Sequence, residues 1–490
     1  MEVCAKMRNE TIRPTRTTYN LILEACASEG MLLQARATLE DMMAGGLAPD
    51  NDSFYHVLQA ARYMSSSVMW EVLELMAKHE VPWDQRTYEF VILRYAEDSV
   101  ELALRYLAEM GEKQLSPTLK TMEGVINAAC KLHLPRLALD LAEAFEESSV
   151  RRLDTQVWVD LLIACATDLW KEGVLRTWRK VVKELNITPD EGCCLLVLTT
   201  AARHGLSSLG LDVLQILKSM HVVWEEYHIA PILEAFCRDG NVQHAFEMLS
   251  LMRANDILPT TETTQPLFEL LCSIPGAIDE AWTILDELNK QGKIVDVAAL
   301  NVIIQTAIAV GDLQMALGVY KAAGDLRVRP NLETFNLLLA GCIASEQRQL
   351  GDRLLTEMKE MHIKPDPRTY ERLIMLCLTQ VTYEDAFFYL EEMKSTGIMP
   401  PLSVYEAIVL RCIRTGDPRS QLAFEEMREC GYIPSLELQR TLNAGAGGLA
   451  QAPRSGAPQS SEGKEENGWA EDIDVEQSRA RTPRPRQVVL

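Results

Sequence analysis

A chain of 490 residues with 47% hydrophobic content, 6% aromatics and a formal net charge of −22 has enough apolar material for a large helical structure whose packing rests on Leu, Ala, Ile, Val and Met. The acidity excludes a uniformly basic nucleic-acid-binding surface, so any basic face must be local. Twelve cysteines without a CxxC pair or zinc spacing argue against a disulfide framework or metal site and point to reduced thiols.

The chain opens on Glu2–Thr15, which reads as the second half of a helical unit, with Met7 and Pro14 at the places held by Met358 and Pro365 in a later unit. The sequence therefore begins inside a unit, and a longer form carrying a targeting segment upstream is expected. From Arg16 to Ser435 the pattern repeats about every 35 residues, with units beginning near Arg16, Asn51, Gln85, Leu119, Thr155, Glu191, Glu226, Thr261, Val297, Leu332, Pro367 and Leu402. A fixed period of this length with two amphipathic runs per unit signals stacked helix–turn–helix repeats.

Each unit has the same internal grammar. The first run carries an apolar stripe such as Phe335, Leu338, Leu339 and Cys342, near helical spacing. A break follows, often at glycine (Gly30, Gly205, Gly240, Gly311, Gly416), which ends a helix cheaply by adopting positive φ. The second run closes on an acidic residue followed by Met, as in Asp41-Met42, Glu109-Met110, Glu357-Met358 and Glu392-Met393, and proline stops it at Pro49, Pro189, Pro259, Pro330, Pro365 and Pro400. Cys26, Cys130, Cys165, Cys237, Cys272, Cys342, Cys377 and Cys412 fall at the eleventh or twelfth residue of their units, the pattern of a small buried packing site. No apolar run has the length of a membrane span; the longest, residues 193–202, reads as one buried helix. Beyond residue 435 a short capping remnant gives way to Gly, Ala, Pro, Ser and charge, composition expected of a disordered tail.

The openings Thr18-Tyr19-Asn20, Thr334-Phe335-Asn336 and Thr369-Tyr370, with the closings Ala48-Pro49-Asp50 and Lys364-Pro365-Asp366, resemble the pentatricopeptide repeat family over nearly the whole chain. The Trp, Leu-Gly and Tyr set of the 34-residue tetratricopeptide repeat is absent. The resemblance implies an all-α fold, a right-handed α-solenoid of about twelve repeats, made of a partial unit at 1–15, the array at 16–435 and the remnant and tail at 436–490. It implies single-stranded RNA in the groove, one base per repeat read by two or three side chains. Carried over, the base-reading pairs are Asn20 with Asp50, Asn301 with Asn331, and Asn336 with Asp366. In the family, Asn with Asp or Asn favours pyrimidines, with uracil typical for Asn–Asp.

Other units depart from this. Glu89, Glu123, Glu371 and Glu406 stand at the Asn position, Val159, Leu195 and Ala230 have no donor there, and Thr17, Asp52, Arg86, Lys120, Glu262 and Glu333 replace the aliphatic residue that sandwiches the base. Lys131, Arg203, Arg238 and Arg414 end first helices, where the resemblance implies phosphate contacts and helix-dipole complementation is the alternative. No catalytic motif, metal set or cofactor loop is present in the sequence. The expected function is post-transcriptional: stability, processing or translation of organellar transcripts in the mitochondrial matrix. The alternative, prompted by the −22 charge, is a protein-interaction scaffold for assembly of a mitochondrial ribosome or respiratory complex.

Overall fold

The computed structural model describes residues 6–440 except positions 8, 11 and 437 and the side chain of 97; residues 1–5 and the tail expected from 441 onward lie outside the described residues. Regular structure among the described residues is all helix. The chain divides after Pro401 into two compact units. In the first, helices come in pairs: α1 Arg16–Ser28 and α2 Leu32–Ala44, α3 Asn51–Ala60 and α4 Ser66–Lys78, α5 Gln85–Asp98 and α6 Val100–Glu112, α7 Leu119–Lys131 and α8 Pro135–Ser148, α9 Thr155–Thr167 and α10 Lys171–Trp178. They continue with α11 Glu191–His204 and α12 Ser207–Ser219, α13 Glu226–Arg238 and α14 Val242–Ala254, α15 Thr261–Ser273 and α16 Ala277–Lys290. The last pairs are α17 Val297–Val310 and α18 Leu313–Lys321, α19 Leu332–Ala344 and α20 Arg348–Glu360, α21 Pro367–Thr379 and α22 Glu384–Ser395. Each odd-numbered helix begins at the residue where its sequence unit begins. The second unit holds α23 Leu402–Thr415 and α24 Arg419–Glu429.

Helix starts are set by side-chain caps. Asp50, Asp84, Asp190, Thr260, Asn331 and Asp366 each accept the backbone N–H three residues on, filling one of the donors an α-helix leaves open. Second helices end in one recurring motif. The N–H of Leu47, Val81, Ile257, Ile363 and Ile398 reaches back five residues to the carbonyl of Met42, Met76, Met252, Met358 and Met393, the bond of a Schellman cap. Ile12 N–H to the Met7 carbonyl, 2.8 Å, is the same bond.

This explains the acidic-Met signature. The methionine at the cap is fully buried (Met42, Met76, Met110, Met252, Met358 and Met393 are each 0% exposed). The acid before it accepts an aromatic hydroxyl: Tyr19 Oη donates to Asp41 at 3.0 Å, and Tyr88 Oη to Glu109 at 2.7 Å. The motif needs one left-handed residue, which glycine supplies at Gly46 and Gly397 (φ 78° and 79°) while Glu80, Gln114, Arg327 and His362 adopt it elsewhere. The unit Thr155–Asp190 is one residue longer than Arg16–Asp50, and the excess is taken up by a π turn at Arg179–Glu184 continuing α10, where Ile187 N–H reaches Val181 six residues back.

Within residues 16–395 each first helix packs on the first helix of the next repeat, whereas second helices meet chiefly first helices. The first helices thus form the continuous layer of an α-solenoid. Small residues let each second helix approach its partner: Ala35, Ala103, Ala138, Ala245, Ala281, Ala316 and Ala386 are wholly buried.

The cysteines follow this geometry. All those at the eleventh position (Cys26, Cys165, Cys342, Cys377, Cys412) are buried, while at the twelfth Cys237 is buried, Cys130 half-buried and Cys272 exposed. One residue is a turn of about 100° around the helix, enough to leave the packed face. The uniform burial expected from periodicity therefore fails at Cys272. Burial also pushes the thiols of Cys165, Cys237 and Cys377 up to about 12. Native protein treated with a thiol-labelling reagent at pH 8 is expected to label fast at Cys272, with the eleventh-position cysteines labelling only in denaturant; peptide mapping of the labelled protein checks it.

Candidate nucleic-acid interface

The asparagine pairs occupy the joint between consecutive repeats. Asn20 Nδ2 donates to Asp50 Oδ1, Asn301 Nδ2 to Asn331 Oδ1 and Asn336 Nδ2 to Asp366 Oδ1, each at 3.2 Å. The second member of each pair caps the next first helix. A third residue completes the joint: the hydroxyl three places into that helix, which is the opening threonine of the motif in Thr334 and Thr369. Ser53 Oγ donates to Asn20 Oδ1 at 2.6 Å, Thr334 Oγ1 to Asn301 Oδ1 at 2.6 Å and Thr369 Oγ1 to Asn336 Oδ1 at 2.9 Å. The same hydroxyl accepts the cap's backbone N–H, as Asn331 N–H to Thr334 at 3.1 Å. The signal was legible as a capping box read forward from the closing Asp or Asn.

The joint fixes which atoms remain for a ligand. The asparagine's oxygen and one amide hydrogen are used, leaving one N–H. In Asn336–Asp366 the carboxylate keeps Oδ2 as an acceptor, whereas in Asn20–Asp50 that oxygen lies 3.8 Å from Arg16 Nε. In Asn301–Asn331 the Asn331 amide adds two donors. For both Asp50 and Asp366 burial pushes the pKa up, but hydrogen bonds from Ser53 and Asn20, and from Thr369 and Asn336, outweigh it and hold the carboxyl below its ordinary value. These acceptors stay ionised at neutral pH.

Where the asparagine is missing, the joint is closed differently. Glu89 Oε1 takes the Thr118 N–H at 3.0 Å and Glu123 Oε1 the Asp154 N–H at 3.1 Å; in the second unit Glu406 Oε1 takes Ser435 N–H at 2.7 Å. The longer side chain reaches the cap's backbone directly. Where the position holds Leu195 or Ala230, the acceptor moves back one turn. Glu191 Oε1 meets the buried His228 Nε2 at 3.2 Å, and Glu226 Oε1 takes the Thr260 N–H at 2.8 Å and the Thr263 hydroxyl. The Glu226 carboxyl is raised by burial but held low by those bonds. His228 and Thr263 stand at the same third place as Thr334. These carboxylates serve the stacking of repeats, a role sequence position alone did not reveal.

A cavity of about 670 Å³ opens beside Asn301 and Asn331, edged by Arg327, Arg329 and Glu333. Among the described residues no group of three His, Cys, Asp or Glu could hold a metal ion, and no helix is long and apolar enough to cross a membrane.

Sequence profiles place these repeats. A profile described as pentatricopeptide repeat-containing protein matches residues 191–323, one described as the pentacotripeptide-repeat region of PRORP matches 289–429, and pentatricopeptide repeat domain and PPR repeat profiles match 1–29 and 17–47. The chain belongs to the pentatricopeptide repeat family. No curated protein sequence matches it significantly. Similar solved structures include the pentatricopeptide repeat protein PPR10 from maize, at 14% identity over 91% of this chain and 77% of that one (TM-score 0.35). Yeast Rmd9p in complex with a 16-nucleotide target RNA is 11% identical over 90% and 98% (TM-score 0.39). The PPR domain of Arabidopsis thaliana protein-only RNase P 1 in complex with tRNA is 16% identical over 37% and 95% (TM-score 0.32).

The remaining pentatricopeptide-repeat positions are unequal. Lys131 and Arg203 end α7 and α11 exposed, and Arg414 does so in α23. Arg238 does not stand free: its Nε and Nη2 donate to Glu234 Oε1 at 3.0 and 2.8 Å, one turn earlier on α13. At the sandwich position Arg86 bonds Asp52 of the preceding repeat and lies 5.0 Å from the centre of the Tyr55 ring, so an ion pair covers that surface. Thr17, Lys120 and Glu262 are exposed and Glu333 half-buried.

Replacing Thr334 by Val is expected to leave Asn301 Oδ1 and the Asn331 N–H without their partner, at about 1–3 kcal/mol; hydrogen exchange should show faster amide exchange at the start of α19 while distant repeats are unchanged. Because the folded Asp50 and Asp366 carboxyls lie below their unfolded value near 3.8, their stabilisation is full above that value and is lost as pH falls through the folded pKa. Asp366→Asn should flatten this acid limb in a pH series of thermal melts.

Proposed function

We propose that this protein binds single-stranded RNA and acts on transcripts after transcription, in their stability, processing or translation, within the mitochondrial matrix, through recognition concentrated at Asn20, Asn301 and Asn336. The observation that carries the reading is the set of atoms the joints leave free. A pair offering one amide N–H and one ionised carboxylate oxygen suits uracil, whose carbonyls accept and whose N3–H donates. The all-donor Asn301–Asn331 pair suits an accepting edge such as N3 and O2 of cytosine. The family's one-base-per-repeat logic then applies to these repeats, and the glutamate-closed joints supply length and curvature. Lys131, Arg203 and Arg414 support the backbone; Arg238 is committed to Glu234. The chain acts by binding, with no cofactor.

A protein-binding role for the stretch between Asn51 and Ala254 is favoured by one observation: its joints are closed by Glu89, Glu123 and Glu226, carboxylates that take the place of the base-reading asparagine pair. Affinity purification with and without RNase separates the two, since assembly partners held by protein contacts survive RNase.

Purified protein should retain RNA from a mitochondrial transcript pool, with affinity falling as salt rises. Ala at both Asn301 and Asn336 should remove selectivity, each lost base contact being worth about 1–3 kcal/mol. Retention equal to that of a tetratricopeptide control would contradict the reading.

A further inference from the structure

The loop that closes the repeat of α17 and α18 differs from its equivalents. It carries Arg327 and Arg329 on either side of Val328, both exposed, and the next loop carries Lys364 with Arg368 just beyond it, also exposed. None of these four has a carboxylate within 4.0 Å among the described residues. Some cations elsewhere are matched: Arg36 with Glu71 at 3.0 Å, Lys293 with Glu247 at 3.0 Å and Lys359 with Glu392 at 3.3 Å. In a chain of net charge −22, unmatched cations on two consecutive loops are a local reversal of sign. They border two of the three repeats that keep intact asparagine pairs, and Arg327 and Arg329 edge the cavity of about 670 Å³ that Asn301 and Asn331 also line.

The cavity has the shape and lining for one nucleotide. Its apolar wall comes from Val302 and Leu337, and its polar side from Asn301, Gln305 and Asn331. Its own acids are largely committed: Asp296 accepts the Ala298 N–H at 2.7 Å and lies 3.7 Å from Arg253, leaving Glu333 against Arg327 and Arg329. A second observation lies in the adjoining repeat. Arg372 Nη1 is buried with no hydrogen-bond partner, and Arg372 feels the charges of Glu333 and Asp366, at the edge of the cavity and in the adjacent pair. A buried guanidinium N–H without an acceptor is costly, and a phosphate or base carbonyl would supply one.

We propose that Arg327 and Arg329 form a phosphate clamp at the mouth of this cavity, which takes one nucleotide with its base against Asn301 and Asn331. The proposal rests on the RNA reading and deepens it. The clamp lies in the loop after the second helix, apart from the first-helix ends that hold Lys131 and Arg203. The shared chemistry is a nucleoside monophosphate unit, within an RNA strand or free.

The test uses Arg327→Gly with Arg329→Gln in the full chain. Glycine is already the residue at this left-handed position in Gly46 and Gly397, so the variant should fold and melt like the parent. Binding of a single-stranded RNA pool is measured across a salt series, beside a Lys131→Gln, Arg203→Gln control. The log–log salt slope should become shallower by about 1.4 for two lost phosphate contacts on a single strand, with weakening independent of sequence. In a second arm, millimolar UMP should raise the melting temperature of the parent and not of the variant; a shift there marks capture of free nucleotide as well. An unchanged slope in a variant of a protein that binds RNA overturns the clamp and leaves the RNA reading standing. If the parent binds no RNA, that reading fails, and the clamp stands or falls on the UMP shift.

Discussion

The repeat array depends on one small hydrogen-bonded joint: an acceptor near the start of a first helix, the cap of the next first helix, and a hydroxyl or imidazole one turn inside it. Helix starts have unmet N–H groups, and a stack of first helices must bury them at every repeat. Asn20, Asp50 and Ser53 solve this, as do Asn301, Asn331 and Thr334, and Asn336, Asp366 and Thr369. Glu89 and Glu123 reach the cap's N–H with one more methylene, Glu226 does so from one turn earlier, and Glu191, also one turn earlier, holds the His228 imidazole that takes the Glu225 N–H. Stacking tolerates all these solutions. Recognition does not, because only the asparagine version leaves a free amide N–H beside a free acceptor or donor.

This separates two demands that sequence comparison of repeats tends to merge. A repeat can diverge at its base-facing position and still stack, provided some carboxylate satisfies the next cap. The central repeats have taken that route, which accounts for part of the acidity without calling on a special partner. Among the cations without a carboxylate within 4.0 Å, Arg327, Arg329, Lys364 and Arg368 stand beside the repeats opened by Val297 and Leu332, where the pairs are intact.

Much of the fold was legible in the residues. Helix starts could be read from the capping Asp, Asn and Thr and from the prolines before them, because both act locally. The acidic-Met pattern was visible, but its cause was not, since it joins a Schellman cap to a tyrosine hydroxyl some twenty residues away, as in Tyr19 and Asp41. The asparagine pairs were legible through resemblance. Their third member was legible as a capping hydroxyl at Thr334 and Thr369, but its bond to the asparagine of the preceding unit, 33 residues back, was not. Cys272 was misjudged by one residue of helical rotation, and the commitment of Arg238 to Glu234 was open to view as an i, i+4 pair.

The central claim is that the atoms joining the repeats are the atoms that meet RNA. Hydrogen–deuterium exchange of the protein with and without bound RNA addresses it most directly. Added protection should concentrate at the starts of α1, α17 and α19 and their caps Asp50, Asn331 and Asp366, with little change around Glu89 and Glu123. Protection spread evenly over all repeats, or greatest at the glutamate-closed joints, would contradict the account.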